Sequence, residues 1–212
     1  IIDLNSAINL NNNDADVFFQ RGLAFFRSEK YSLAIDDYTQ AINIDPENLI
    51  FYHNRGMCYD RINEKEKAEA DYIKALDGKG YTSYNSLGIF YAENNNLSEA
   101  EKYFNMSVQI AKEEGFEKYK RSLYNRAIFY FYILNNKNNE INDLNTAIKN
   151  DKYYLSAYEL LSSIYRSTDD DENYLTNLNT AIEIDLTTDL DHNEKKILRD
   201  NKNYINRALL LE

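Results

Sequence analysis

The sequence predicts an all-α protein of paired helices, and three observations carry that expectation. Residue types recur at a fixed interval of about 34 positions: Phe18-Phe19-Gln20-Arg21-Gly22 answers Tyr52-His53-Asn54-Arg55-Gly56, and Phe25, Ala34, Tyr38 and Ala41 answer Tyr59, Ala68, Tyr72 and Ala75. Within each interval the aromatic and small residues fall three or four apart, which places them on one face of a helix. Only 6 Gly and 1 Pro occur in 212 residues, so the turn punctuation that an all-β chain needs is absent.

Numbered from Ala15 as position one, five copies follow in order over residues 15–48, 49–80, 81–114, 120–152 and 155–188. Position four reads Phe18, Tyr52, Tyr84, Leu123 and Tyr158. Position eight reads Gly22, Gly56, Gly88, Ala127 and Ser162, and position eleven Phe25, Tyr59, Tyr91, Tyr130 and Tyr165. Each copy therefore splits into a helix A over its first fourteen positions and a helix B over roughly positions seventeen to thirty. A Gly inside a helix costs about 1 kcal/mol relative to Ala, so its return at position eight implies close packing there. The other three glycines, Gly78, Gly80 and Gly115, lie between copies, where Gly ends helices. The second copy is short, and the fourth has one extra residue assigned to its turn.

Partial copies are expected at both ends. Asp3-Leu4-Asn5-Ser6-Ala7-Ile8 is similar to Asp143-Leu144-Asn145-Thr146-Ala147-Ile148, which makes residues 1–14 an isolated helix B. Tyr204-Ile205-Asn206-Arg207-Ala208 is similar to Leu123-Tyr124-Asn125-Arg126-Ala127, so residues 189–212 hold a linker and the start of another helix A. A repeat array needs polar caps, and the open pattern leads us to expect that the chain is part of a longer protein.

The 34-residue period, with its large–small–large helix A and the Ile44-Asp45-Pro46 ending of the first copy, resembles the tetratricopeptide repeat over about nine-tenths of the chain. The resemblance implies a single right-handed superhelical solenoid of antiparallel helix pairs, with a concave groove lined by A helices and a role in protein–protein interaction. Fold alone does not name a partner.

Position seven is Arg21, Arg55 and Arg126 in three copies, and position twenty-three is then Asp37, Asp71 and Asp143. Where position seven is Leu87 or Leu161, position twenty-three is Tyr103 or Asn177. Arg and Asp arrive and leave together, which predicts an ion pair between helices A and B of one repeat, since a partly buried Arg needs a partner. Reading of an acidic ligand by the three arginines is the competing interpretation.

Composition restricts function. A net charge of −11 argues against nucleic acid, whose phosphates demand a basic surface. The longest apolar run, residues 127–134, is far short of the roughly 20 residues a membrane span requires. With one cysteine, Cys58, and two distant histidines, His53 and His192, neither a disulfide nor a zinc site is expected. Asp169-Asp170-Asp171-Glu172 lacks the alternation and glycine of a calcium loop and reads as a solvated turn. No phosphate loop or nucleophile motif is present. The expectation is a cytoplasmic, non-enzymatic scaffold without cofactor.

In this family, positions two, five, six, nine, twelve and thirteen of helix A tend to face the groove. The candidate contacts so derived are Phe19, Leu23, Phe26 and Arg27 in the first copy, His53, Asn54, Met57 and Arg61 in the second, and Tyr124, Asn125, Ile128 and Tyr132 in the fourth. The corresponding third-copy face is Thr82, Asn85, Ser86, Ile89, Ala92 and Glu93. The aromatics suit anchoring of a peptide or helix, and equally suit packing against neighbouring helices. Asn54 and Asn125 have the donor and acceptor to read an extended backbone. The clamp by which some members hold chaperone tails requires lysines, asparagines and an arginine where this chain has Phe19, Leu23, Asn54, Thr82 and Ser86, which argues against that ligand. Two alternatives stand beside the groove: a regulatory or targeting segment of a larger enzyme or sensor, and self-association, including a homodimer, through the apolar helix at residues 120–134.

Overall fold

The computed structural model describes residues 4–6, 8, 13–134 and 139–188. Side-chain caps start several of its helices by satisfying amides that have no partner within the helix. Asp14 accepts from the amides of Asp16 and Val17 at 3.0 and 3.3 Å and opens α1, Ala15–Arg27. Asn48 accepts from the amide of Ile50 ahead of α3, Leu49–Arg61. Asn96 caps α6, Leu97–Glu114. The intervening helices are α2, Tyr31–Ile44, α4, Lys65–Ala75, and α5, Tyr81–Glu93. A short 3-10 turn, Leu76–Gly78, follows α4. Then come α7, Phe116–Phe129, which runs into a π-helical segment Tyr130–Leu134, and α8, Asn139–Asn150, α9, Leu155–Arg166, and α10, Asp171–Thr188. The described residues contain no strand.

Four of the A-to-B turns are built alike. The amides of Lys30, Glu64, Asn96 and Asp170 each donate to the carbonyl five residues back, on Phe25, Tyr59, Tyr91 and Tyr165, at 2.8–3.1 Å. The residue before each of these donors, Glu29, Asn63, Asn95 or Asp169, is left-handed, with φ between 54° and 63°. This is the Schellman ending of a helix, set at position fifteen of four copies without a glycine. Asp170 then accepts from the amide of Asn173 at 3.2 Å, so the acidic run over residues 169–172 both turns the chain and caps α10.

The chain divides into two compact units, residues 1–118 and 119–212. In the first, α1 packs on α2, α3 on α4 and α5 on α6, and successive pairs meet through α2 with α3 and α4 with α5. Position eight explains the spacing within pairs. A Cβ on Gly22 would lie 2.6 Å from the ring of Tyr38, which is fully buried; on Gly56 it would lie 3.2 Å from Tyr72, and on Gly88 3.0 Å from Phe104. Each glycine thus makes room for an aromatic ring at position twenty-four. In the second unit Ala127 shares a cluster with Leu144, and the fifth copy has Ser162 with Leu178 at the same positions. Larger residues at eight accompany smaller ones at twenty-four.

The predicted arginine pairs are present in all three copies. Arg21 donates through Nε and Nη2 to Asp37 at 2.8 and 2.6 Å, Arg55 to Asp71 at 2.7 and 2.8 Å, and Arg126 to Asp143 at 2.7 Å for both. The carboxylates are buried. Each guanidinium also lies near aromatic rings: Phe18 and Phe25 for Arg21, Tyr52 and Tyr59 for Arg55, and Tyr130 for Arg126, all at 5.6–5.9 Å. A further bond reaches backwards, from Nη1 of Arg21 to Asn5 and from Nη1 of Arg55 to Thr39 in the preceding helix B. The geometry is structural: five donors in a planar fork satisfy two helices at once.

In the second unit Ala127, Leu144, Ala157, Leu160, Leu161 and Ile164 form the core, and α9 packs on α10. The Arg–Asp separation there is 17 residues instead of 16. The π segment Tyr130–Leu134 lies between the two partners, and a π turn takes up one residue more than an α turn. The extra residue of the fourth copy, expected in the turn, is thus matched by a widening at the end of helix A. The partial copy placed on residues 189–212, and most of that placed on 1–14, lie outside the described residues.

Candidate functional site

The candidate residues fall into three groups. In the first copy, the half-buried ring of Phe19 lies 5.9 Å from Tyr38 and 5.2 Å from Phe51, so it joins α1 to α2 and α3. Phe26 stands edge-on to Tyr31 at 5.6 Å, Leu23 is half-buried in the same cluster, and Arg27 is exposed. In the second unit, Tyr124 packs against Tyr154 at 5.7 Å and Ile128 against the core cluster. Asn125 is half-buried, while Tyr132 is 66% exposed beside Phe131. Burial pushes the Tyr124 phenol above its ordinary range.

The second-copy candidates come together with third-copy residues along the seam between α3 and α5. Two cavities open there. The upper one, about 340 Å³, is lined by Leu49, Ile50, His53 and Ala75 on one side and Gly78, Gly80, Thr82 and Ser83 on the other. The lower, about 150 Å³, has Met57, Asp60, Arg61 and Tyr72 facing Ser86, Ile89, Phe90 and Glu93. Ile50 and Ile89, one lining each cavity, are 57% and 41% exposed. The helices hold these residues because positions two, five, nine and twelve repeat near one turn apart. The side-chain amide of Asn54 donates to the carbonyl of Ile50 at 2.8 Å, one turn back on the same helix.

His53 lines the upper cavity. Its ring stands edge-on to Tyr72 at 5.9 Å, and among the described residues its buried Nδ1 has no hydrogen-bond partner. Burial lowers its pKa, which keeps the imidazole neutral near pH 7. Asp60 is held by Lys65 at 2.5 Å, leaving Arg61 and Glu93 as the facing charges of the lower cavity. Cys58, one residue from the seam, is buried, and that burial pushes its thiol up to about 12, so it is a packing group and no nucleophile at neutral pH. The described residues hold no cluster of three or more His, Cys, Asp or Glu side chains suited to a metal, and no helix long and apolar enough to cross a membrane.

Sequence reasoning found the α3 side of the seam and gave too little weight to the α5 side. Thr82, Ser86 and Ile89 lay at face positions, but the small polar character of Thr82 and Ser86 hid that side. Leu49, Ser83 and Phe90 lay off the family's face pattern. The available signal was Ile50 and Ile89, aliphatic residues at positions where burial in the repeat is not required.

Antiparallel helix pairs at a 34-residue period define a helical-repeat protein. Family models of the tetratricopeptide repeat match residues 15–48, 37–70 and 81–114, which identifies tetratricopeptide repeats within residues 15–114. Among curated proteins no sequence matches it. Solved structures share its fold: yeast Tom70, with a TM-score of 0.72 at 18% identity over 98% of this chain, and BtubC (BKLC) from P. vanneervenii, with 0.73 at 14% identity over 89% of each chain. PilW, described as a widely conserved type IV pilus biogenesis factor, follows with 0.66 at 15% identity over 85% of this chain and 80% of its own. The chain spans 42% of the Tom70 chain it matches. At such identities the likeness is one of fold. In general terms the repeats support a protein-interaction scaffold role, and their fold is typically non-catalytic.

Proposed function

We propose that the chain holds a peptide segment of a partner protein in the cleft between α3 and α5. The observation that carries this reading is the pair of adjoining cavities along one seam, flanked by solvent-facing Ile50 and Ile89. Apolar side chains in a concave, partly polar surface are what a peptide anchor requires. Leu23, Phe26 and Arg27 on α1 extend the same face by one repeat, and Met57 and Arg61 belong to it directly. Phe19 contributes as support, through its contacts with Tyr38 and Phe51.

The test is affinity capture from the source organism by the parent chain beside an Ile50→Glu, Ile89→Glu double variant. Both residues are exposed, so circular dichroism of the two proteins should coincide. A partner retained by the parent and lost by the variant supports the cleft. Equal capture by both refutes it.

A second reading concerns the second unit. Tyr132 and Ile133, 66% and 46% exposed on the π segment, form an apolar surface suited to self-association. Sedimentation across a wide concentration range tests it. A mass that stays monomeric throughout, or one that rises equally in a Tyr132→Glu variant, removes this reading.

A further inference from the structure

The lining of the α3–α5 cleft restricts the chemistry of the segment it holds. No Lys, Arg, Asp or Glu lines the upper cavity: its floor is Leu49, Ile50 and Ala75, two of its lining residues are glycines, and its polar groups are His53, Thr82 and Ser83. In the lower cavity Asp60 is neutralised by Lys65, and Arg61 and Glu93 oppose each other in sign. The cleft is thus close to neutral on a chain whose net charge is −11, and that long-range field disfavours an acidic ligand. A carboxylate entering the upper cavity would shed water with no lining cation to replace it. Lys79 is exposed between Gly78 and Gly80, both of which line the upper cavity.

The polar groups are suited to peptide backbone instead. Among the described residues the hydroxyls of Thr82, Ser83 and Ser86 engage no protein partner, and neither does Nδ1 of His53. Hydroxyls both donate and accept, as a backbone in extended form needs. The cavities are centred about seven to nine residues apart along α3 and α5, or roughly 10–13 Å at the helical rise. An extended chain advancing about 3.3 Å per residue covers that distance in about three or four residues.

We propose that the α3–α5 cleft takes an uncharged segment in extended form, with two large aliphatic or aromatic side chains about three or four residues apart, one per cavity. Its backbone bonds to Thr82, Ser83 and Ser86. This rests on the peptide-cleft reading and adds the ligand's chemistry to it. The cleft is a two-anchor apolar site and not an acid-binding one.

The probes are short fluorescein-labelled Ser/Gly peptides, amidated, bearing two leucines or two phenylalanines at either spacing. One control has serine at both anchors, another glutamate. By anisotropy, at least one anchored peptide is expected to bind the parent about tenfold or more tighter than the serine control, the effect of burying one large apolar side chain. Ile50→Glu and Ile89→Glu should each weaken it by about as much. Preference for the glutamate peptide, with binding lost in Lys79→Ala, overturns the proposal. So does failure of every anchored peptide to exceed the serine control. If the capture experiment still loses its partner in the double variant, only the ligand chemistry falls. If capture is also unchanged, the cleft itself falls.

Discussion

Replacing Asp71 with Ala probes the arginine network most directly. It removes both acceptors of Arg55 Nε and Nη2, at 2.7 and 2.8 Å, from a carboxylate that is only 9% exposed. Breaking a buried ion pair on one side costs about 3–5 kcal/mol. Here the guanidinium is 17% exposed, keeps Thr39 at 3.1 Å and stays near the rings of Tyr52 and Tyr59, so we expect about 2–3 kcal/mol. The third copy supplies the compensating pair: Leu87, fully buried, with Tyr103 half-buried at position twenty-three. An Arg55→Leu, Asp71→Tyr double variant should therefore lie within about 1 kcal/mol of the parent, since a hydrophobic replacement of a buried pair is often neutral. Urea unfolding followed by circular dichroism gives the totals. Repeats do not always unfold together, so hydrogen exchange of α3 and α4 amides must locate the loss. If Asp71→Ala costs under about 1 kcal/mol, or the double variant equals the sum of its singles, the network does not hold the helices together as argued.

Three further outcomes follow from the same packing. Gly22→Ala should destabilise by about 1–3 kcal/mol because its Cβ meets an immobile Tyr38 ring at 2.6 Å, whereas Gly56→Ala, at 3.2 Å, should be near neutral once the gain in helix propensity is counted; thermal melts of the two variants decide the ranking. Glu29→Gly should stabilise by about 0.5–1 kcal/mol, because Glu29 sits at φ 57° and pays the left-handed penalty that glycine avoids; a lower urea midpoint would contradict this. His53 binds protons less readily when folded than when unfolded, so stability should fall as the pH drops below about 6.5, and His53→Gln should flatten that decline in melts recorded across the range.

Most of the architecture was readable from residues at fixed intervals. Arg21, Arg55 and Arg126 with their three aspartates predicted an inter-helix contact before any coordinates, because the charge of one residue requires the other nearby. The aromatic at position twenty-four was visible, but its dependence on Gly22, Gly56 and Gly88 was not read, since it needs the distance between two helices. The turns were placed between helices A and B, but their conformation was not read, for another reason. Glu29, Asn63, Asn95 and Asp169 adopt the left-handed conformation usually signalled by glycine, and only Asn and Asp among them have a side chain that favours it. The site was half legible. His53, Met57 and Arg61 lie on the cleft as their positions implied, whereas Phe19 and Tyr124 combine a face position with aromatic contacts to neighbouring helices. A large ring next to a helix gap fills it, and one-dimensional periodicity does not distinguish a ring that lines a surface from one that closes it.

The size matching between positions eight and twenty-four bears on how such a chain grows by duplication. Gly22 fits Tyr38, and Ala127 fits Leu144. Joining helix A of the first copy to helix B of the fourth would leave a void, and the reverse fusion would press Ala127 into a tyrosine ring. Against the third copy, which has Leu87 and Tyr103 at those positions, Arg21 and Asp37 add a second lock across the same joint. Crossovers within the 28–30 turn are therefore disfavoured, while crossovers between copies, near residues 45–48, carry both locks along intact. The heritable module of this protein is the whole helix pair, and its copies can drift apart in size and charge only by changing both members of a pair together.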